Sequence, residues 1–264
     1  MKKTNRRLLM LAAPFVAGFL LFYVLPLFRS IWYSLVNNTV EQEFVGLKNY
    51  IDTMRNENFL LSVKNTMEIL VLGVPPVVLF SLLCALVVQH IGEKMPLLRI
   101  ALVLPMLLPS ASVAGVFEKM GIESSRLTLI VIYIWKNAGF LMLIFLAALS
   151  TVPKELHEAF ALDSASRVKA FWYITLPLIM GTMLFTVMLA IAYNLRLFRE
   201  AYLLYGAYPD KTLYLMQHYM NNHFNKLNYQ KLTTAATLFL VLLLAIIGCF
   251  MGLVRKFGKG SDLR

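Results

Sequence analysis

Six apolar runs constrain the fold of this chain more than any other feature of its sequence. Each is about 20 residues long, which is the length that an α-helix needs to cross the hydrocarbon core of a bilayer. Hydrophobic residues make up 59% of the chain and charged residues 15%, proportions outside those of ordinary soluble domains. The sequence therefore predicts an all-α, polytopic membrane protein that forms a single domain over residues 1–264. The expected transmembrane helices lie near residues 8–28, 66–89, 97–117, 127–149, 172–195 and 234–254.

Basic residues at both ends of the chain predict its orientation. Lys and Arg are enriched in short cytoplasmic segments of membrane proteins, so both termini are expected in the cytoplasm. The first apolar run extends to about Phe28, too long for a signal peptide, and no small-residue cleavage site follows it. We therefore interpret it as the first span. The loops near 90–96 and 150–171 then face the cytoplasm, and those near 37–60, 118–126 and 196–231 face outward.

The sequence contains no pattern typical of a catalytic or metal centre. Neither an H-E-x-x-H nor a G-x-S-x-G motif occurs, and Cys84 and Cys249 both lie inside predicted spans. The net charge of +11 is spread over loops rather than along a basic helix with aromatic residues between its charges. We predict no catalytic residue, no metal, no cofactor in this chain and no nucleic-acid partner. The basic residues suit the headgroups of the lipid bilayer.

A polar stretch interrupts the apolar pattern between Glu158 and Leu178. Pro153 is typical of a helix start, and the residues at four-residue spacing after it favour a short helix beneath the membrane, over about 154–171. Small side chains on this helix leave room for another protein to approach its backbone. The same features also suit a solvated connecting helix. The residues at that spacing are Leu156, Phe160, Ser164 and Val168.

This stretch resembles the "EAA" signature of permease subunits of bacterial binding-protein-dependent ABC importers. That signature has a Glu-Ala-Ala start, a Gly or Asp-Gly-Ala centre and an Ile-x-Leu-Pro end, and the chain carries Glu158-Ala159, Asp163-Ser164-Ala165 and Ile174-Thr175-Leu176-Pro177 at those places. The resemblance implies a cytoplasmic coupling helix at about 154–171 that contacts an ATPase subunit. The residues implied in this contact are Glu158, Ala159, Asp163, Ser164, Ala165, Leu176 and Pro177.

Two residues of this stretch depart from the family pattern. Ser164 stands where Gly is usual, and it is small enough to keep a close approach. Phe160 stands where the third signature residue is usually Ala, and we expect it to fill a pocket between the coupling helix and the spans.

The resemblance covers most of the chain. Asp-Ser-Ala-Ser and Ile-Thr-Leu-Pro-Leu are most similar to the carbohydrate-uptake branch, although the outward connection EKMGIESSR is shorter than in that branch. Further matching segments are YVLPLFRSIWYSL at 23–35, VGLKNY at 45–50, VKNT at 63–66, ALVLPMLLPS at 101–110 and IWKNAGFLMLIFLAAL at 134–149.

The resemblance also implies a complex in the bacterial cell (inner) membrane. The chain has no G-x-x-x-x-G-K-[ST] phosphate loop, so ATP and Mg²⁺ are expected on a cytoplasmic ABC ATPase dimer. Further expected partners are a second permease subunit, as a heterodimer, and an extracytoplasmic solute-binding protein that delivers a sugar or oligosaccharide. The alternative is an ion-coupled secondary transporter, which is typically built from internal repeats around an ion site at the midplane. The sequence shows neither feature.

Charged and aromatic residues gather at the outward end of the fifth span, in YNLRLFREAYLLYGAYP from Tyr193 to Pro209. Fixed polar groups beside aromatic faces suit a sugar, so we predict a solute path there. An interfacial aromatic belt with a local pair between Arg196 and Glu200 would give the same pattern. The residues predicted in the path are Asn194, Arg196, Arg199, Glu200 and Tyr202.

Other charged residues near the spans have simpler interpretations. Lys64 and Glu68 are four residues apart and can neutralise each other. Lys136 can extend its ammonium group to the interface. Proline pairs in the second and third runs remove backbone donors and favour kinks: Pro75 with Pro76, and Pro105 with Pro109.

Overall fold

The computed structural model describes residues 2–91, 96–121, 124–163 and 166–258. The regular structure of these residues is helical, apart from one isolated β-bridge between Val36 and Phe44. The prediction of an all-α, polytopic membrane protein is therefore confirmed. Five helical segments are long and apolar enough to cross a membrane: Leu11–Ser34, Glu57–Ile91, Arg126–Ser150, Arg167–Tyr205 and Tyr229–Gly252.

The third predicted span is broken. α5 (Pro96–Leu107) and α6 (Ser110–Lys119) are together apolar enough to cross a membrane, but they are bent by 98° at their junction. Pro109 at this junction has extended backbone, with φ −58° and ψ 143°. A proline has no N–H to donate and disfavours helical backbone at the residue before it, so the helix stops there. Within the part of the chain that the structure describes, five helical segments are thus long and apolar enough to span a membrane, or six if the bent pair crosses as one.

The second span shows no such break at its prolines. α4 (Glu57–Ile91) continues as one helix through Pro75 and Pro76. The kink predicted from prolines is thus found as a break near Pro109, while the prolines of α4 leave the helix uninterrupted.

The chain divides into two compact units, the first formed by the residues up to Leu60 with Tyr219–Ile246. Its loop between α2 and α3, which the sequence predicts to face outward, is held by Asn49, whose Nδ2 donates to the carbonyls of Ser34 at 3.0 Å and Val36 at 2.9 Å. The hydroxyls of Ser34 and Tyr50 lie 2.5 Å apart. Helices that begin in this unit are α1 (Lys2–Phe19), α2 (Leu25–Ser34), α3 (Lys48–Met54), α4 and α13 (Tyr229–Gly258), with a π-helical turn at Leu20–Val24.

The second unit comprises Leu61–His218 and the chain from Ile247. At its centre is α7 (Arg126–Ser150), which packs against α5 and α10 (Leu176–Arg196). The side chains of α7 that point inward are fully buried and form the apolar core: Leu129, Ile132, Tyr133, Leu141, Met142 and Phe145. Its other helices are most of α4, α6, α8 (Lys154–Asp163), α9 (Arg167–Ala170) and α11 (Phe198–Tyr205), and α12 (Met216–Asn225) begins here.

Gly139 allows α7 and α5 to touch backbone to backbone. A Cβ atom at this position would lie only 1.8 Å from the carbonyl oxygen of Leu102. No side chain can therefore be placed there without moving α5. This contact fixes the position of α5 just before the break at Pro109.

Candidate functional site

The short helix α8 has two different faces. Glu158 and Ala159 are exposed, whereas His157 and Phe160 are half-buried. Leu162 is 92% exposed, although it is a large apolar side chain. α8 thus turns one face toward its own unit and presents a second face that combines a carboxylate with apolar groups.

A cavity of about 670 Å³ lies between α8 and the ends of α4 and α7. Phe160 and His157 line it, and the Nε2 atom of His157 is 3.4 Å from the Oγ1 atom of Thr175. Phe160 thus faces a pocket between this helix and the spans, as the sequence predicted.

The helix predicted over 154–171 is shorter in the structure. α8 ends at Asp163, and Ser164 and Ala165 lie outside the described residues. The next helix, α9, begins at Arg167. The prediction of one helix was therefore wrong at its C-terminal end.

Ser166 explains why a new helix begins there. Its backbone is extended, and its hydroxyl accepts a hydrogen bond from the N–H of Lys169 at 3.3 Å, which caps α9. α9 continues through a π-helical turn at Phe171–Thr175 into α10, whose first turn contains Leu176 and Pro177. Pro177 has no N–H to donate, and the π-helical turn lies directly before it in this continuous helix. The end of the signature therefore belongs to the following span.

A second cavity, of about 270 Å³, lies near the predicted outward end of α7 and α10, and we call it the outward cavity. Lys136 on α7 and Glu200 on α11 form an ion pair beside it, and their side chains are 16% and 5% exposed. The hydroxyl of Ser110, the first residue of α6, donates to Glu200 Oε1 at 2.7 Å. Three elements of the second unit thus meet at one buried carboxylate.

This ion pair corrects two interpretations of the sequence. Lys136 does not extend to the interface, because its ammonium group is held by Glu200 and also lies 3.2 Å from Ser110 Oγ. Glu200 pairs with this lysine rather than with Arg196. The guanidinium of Arg196 instead lies 5.4 Å from the centre of the Tyr193 ring.

Three of the five residues predicted in the solute path line this cavity, namely Arg196, Arg199 and Glu200. Asn194 is not among its lining residues; it is buried, with Nδ2 3.5 Å from the carbonyl of Ile69. Tyr202 is also absent from the lining and packs near the ring of His218, with centroids 6.3 Å apart. Tyr193, the first residue of the stretch singled out in the sequence, also lines the cavity, whereas the sequence had not pointed to its remaining polar or aromatic lining residues: Tyr133, Asn137 and Ser110.

Comparison with known proteins gives a consistent assignment. Residues 54–257 match the model of the family "Binding-protein-dependent transport system inner membrane component". The chain belongs to this family. It is therefore a transport permease, which agrees with the resemblance found in the sequence and favours it over a secondary transporter.

Relatives of this permease include two proteins named for the transport of oligosaccharides or disaccharides. The arabinooligosaccharides transport system permease protein AraP of Halalkalibacterium halodurans is 31% identical over 225 residues, covering 75% of this chain and 71% of the relative. The trehalose/maltose transport system permease protein MalF of Thermococcus litoralis is 26% identical over 243 residues, covering 82% of each.

A solved structure has the same fold as this permease. It is the crystal structure of a bacterial alginate ABC transporter in complex with an alginate pentasaccharide-bound periplasmic protein. One of its chains is 22% identical, with a TM-score of 0.81, over 97% of this permease and 96% of that chain.

An arginine holds the loop after α11 of the permease. The guanidinium of Arg126 pairs with Glu68 and donates to the carbonyl of Thr212 at 3.1 and 3.3 Å. It also donates to Asn65 Oδ1 at 3.0 Å. The pair predicted between Lys64 and Glu68 is present at 3.9 Å, but the shorter contact of Glu68 is with Arg126.

His218 anchors the other end of the same loop. It is fully buried, its Nδ1 accepts the N–H of Leu215 at 3.1 Å, and it packs edge-on to Phe198 with ring centroids 4.9 Å apart. Burial lowers the pKa of His218 to about 4, and a hydrogen bond to the backbone of Gly206 opposes this shift only partly. The imidazole is therefore neutral at physiological pH and acts as a structural acceptor.

Proposed function

We propose that this chain is one permease subunit of an ATP-driven ABC importer that takes up a sugar or oligosaccharide. The observation that carries the proposal is the exposed face of α8, since apolar groups beside a carboxylate on an exposed helix outside the spans suit a protein partner. Residues 1–264 would form one transmembrane domain in this complex.

The partner of α8 in this proposal is a cytoplasmic ABC ATPase dimer. Leu162 supplies exposed apolar surface, Ala159 permits close approach, and Glu158 offers a charge for a complementary basic group. ATP and Mg²⁺ bind to the ATPase subunits, because this sequence lacks their phosphate loop. Phe160 of α8 lines a cavity together with the ends of α4 and α7, and in this proposal movement of α8 reaches the spans at these two ends.

The solute passes the cavity beside Lys136 and Glu200 in this mechanism. AraP and MalF are named for arabinooligosaccharide and for trehalose and maltose transport, which supports a carbohydrate for this chain too. The cavity offers Asn137, Arg196 and Arg199 as polar groups that could meet hydroxyls. Alternating closure of the ATPases would shift the spans between two discrete arrangements, as in other rigid-body transitions.

The remaining components of the complex follow from the same proposal. An extracytoplasmic binding protein delivers the solute, and a second permease subunit completes a heterodimer. The complex lies in the bacterial cell membrane with both termini of this chain in the cytoplasm, because its basic ends agree with the excess of Lys and Arg on that side.

Reversal of the charge at Glu158 tests the docking surface. Glu158→Lys should insert normally but lose ATPase co-purification and uptake by about tenfold or more, because it places an unpaired charge at an interface. Glu118→Lys, at another exposed glutamate at the end of α6, is the control and should leave both unchanged. Undiminished uptake by Glu158→Lys in vesicles would contradict docking through α8.

Dissipation of ion gradients tests the energy source. Uptake into vesicles at constant internal ATP should persist after an ionophore collapses the proton and sodium gradients. Ion-coupled transporters typically have charged groups near a span centre that bind the coupling ion. Among the described residues, the charges of Lys136 and Glu200 beside the outward cavity instead neutralise each other. Loss of uptake with the ionophore would favour the secondary transporter instead.

A further inference from the structure

The outward cavity carries an excess of positive charge. Among its lining residues, Lys136, Arg196 and Arg199 are positive and Glu200 alone is negative, so three minus one leaves a net charge of +2. Both arginines are exposed within the isolated chain. Two positive charges of the cavity are thus not balanced by a negative charge among its lining residues.

Glu200 cannot neutralise the arginines without leaving another charge unpaired. Its carboxylate already accepts from Lys136 and from Ser110, and its side chain is 5% exposed. Removing one partner of a buried ion pair is strongly destabilising. Within the residues that the structure describes, neither Arg196 nor Arg199 has a carboxylate within ion-pair distance. These two guanidinium groups are therefore available to an anion from outside the chain.

The position of Arg196 also determines how a ligand can be held. Its guanidinium covers the face of Tyr193 at 5.4 Å, and this ring meets Phe140 edge-on at 6.0 Å. The face under Arg196 is therefore not open for a sugar ring to stack on. A cation–π contact leaves the N–H groups of the guanidinium free to donate, and their planar fork matches a carboxylate or phosphate.

We infer that the outward cavity selects an anionic solute, a carbohydrate that carries a carboxylate or phosphate group, which Arg196 and Arg199 bind. Arg199 lies three residues after Arg196, so the two cations are neighbours along the lining. This inference rests on the proposed function, since it specifies which solute class the importer accepts.

Two matched pairs of probes test the inference in the complete transporter, reconstituted with its ATPases, second permease and binding protein in phosphatidylcholine vesicles. The first pair is a hexuronic-acid trisaccharide and its carboxyl-reduced, neutral counterpart, and the second is a hexose phosphate and the free hexose. ATP-driven uptake should favour the acidic member of at least one pair by about tenfold or more, because the site leaves cations unpaired with a neutral ligand.

Substitutions then assign the preference to the two arginines. The double variant Arg196→Gln, Arg199→Gln should reduce this preference to about threefold or less, and Arg196→Lys with Arg199→Lys should retain an intermediate preference because charge remains without the fork. Lys211→Gln removes an exposed cation that does not line the cavity and should retain the full preference.

The outcomes separate the inference from the proposed function. Uptake of neutral probes alone, or a preference that survives the double Gln variant, overturns the inference and leaves the importer assignment standing. Absence of ATP-driven uptake of all four probes contradicts both. Binding of lipid phosphate would make the double variant lower the uptake of acidic and neutral probes alike, most strongly in vesicles with phosphatidylglycerol, and this also overturns the inference.

Discussion

Lys136 on α7 forms a buried ion pair with Glu200 on α11, and the hydroxyl of Ser110 joins this pair at 2.7 Å from the carboxylate. Lys136 and Glu200 are 64 positions apart in sequence, and Ser110 comes from the helix that follows the break at Pro109. The pair therefore links α6, α7 and α11 at the cavity where we place the solute.

Removal of either charge alone should destabilise the second unit. Lys136→Met leaves the carboxylate of Glu200 buried without its cation, and loss of one partner of a buried pair costs about 3–5 kcal/mol. The thermal unfolding midpoint of the purified complex should fall, and uptake should fall with it. The double variant Lys136→Met, Glu200→Met leaves no unpaired charge and should recover most of the stability. A single Lys136→Met variant as stable as the parent would mean that the pair is not formed in the membrane.

The contact of Gly139 with α5 predicts a severe effect from a very small change. Gly139→Ala places a methyl group 1.8 Å from the carbonyl oxygen of Leu102, so α5 must move. Overpacking that displaces backbone costs about 1–3 kcal/mol or more, and we expect a lower unfolding midpoint and reduced assembly with partners.

Gly181 supplies the matched control, because a Cβ atom on it meets nothing within 4 Å in the described residues. Gly181→Ala in α10 should be neutral or raise stability by about 0.5–1 kcal/mol through helix propensity. Equal unfolding midpoints for the two variants would refute the close packing of α5 and α7.

The helical architecture could be predicted from the sequence because it depends on apolar run length, which is a local property. The position of α8 also follows from local signals, since a polar stretch after Pro153 lies between two apolar runs. The new helix start at Ser166 was missed, although a serine before Arg167-Val168-Lys169 is a possible cap. The signature extends across both helices and therefore favours one continuous helix.

The contacts of the outward cavity could not be predicted, because they join residues far apart in the chain. Lys136 is recognisable as a charge in an apolar run, but its partner lies 64 positions away, and Glu200 has a nearer candidate in Arg196. Sequence spacing favours partners four residues apart, and only the packing of α10 against α7 and of α11 against α6 brings the distant pair together. Tyr202 was predicted in the solute path for its ring, which the structure directs toward His218.

The buried His218 predicts a stability change with pH. Its pKa is lowered to about 4 in the folded state, against about 6.5 in the unfolded chain. Below pH 6.5 the unfolded state therefore binds more protons than the folded state. The contribution of His218 to folding stability is complete above about pH 6.5 and is lost as the pH falls toward 4. The difference between the two pKa values corresponds to as much as about 3 kcal/mol of stability.

The pH effect is measured as the unfolding midpoint of the permease between pH 4 and 7. His218→Gln, which has no titrating ring, should show a flatter profile than the parent, although it is less stable at neutral pH. Subtraction of the two profiles removes the contribution of carboxylates common to both. Parallel profiles would exclude His218 as the titrating group.

Arg126 and Lys64 both contact Glu68, but we expect their substitution to have different effects on the loop after α11. Arg126 holds the loop after α11 through the carbonyl of Thr212 and through Asn65, whereas Lys64 contacts Glu68 at 3.9 Å with its side chain 72% exposed. Arg126→Gln should release the loop, and amide hydrogen exchange at residues 207–215 should rise by about tenfold or more, because the guanidinium's hydrogen bonds oppose local opening of this segment. Lys64→Gln should leave exchange almost unchanged, since exposed ion pairs contribute about 0–1 kcal/mol. Equal exchange rates in the two variants would show that the loop is held by its own aromatic packing and not by the guanidinium.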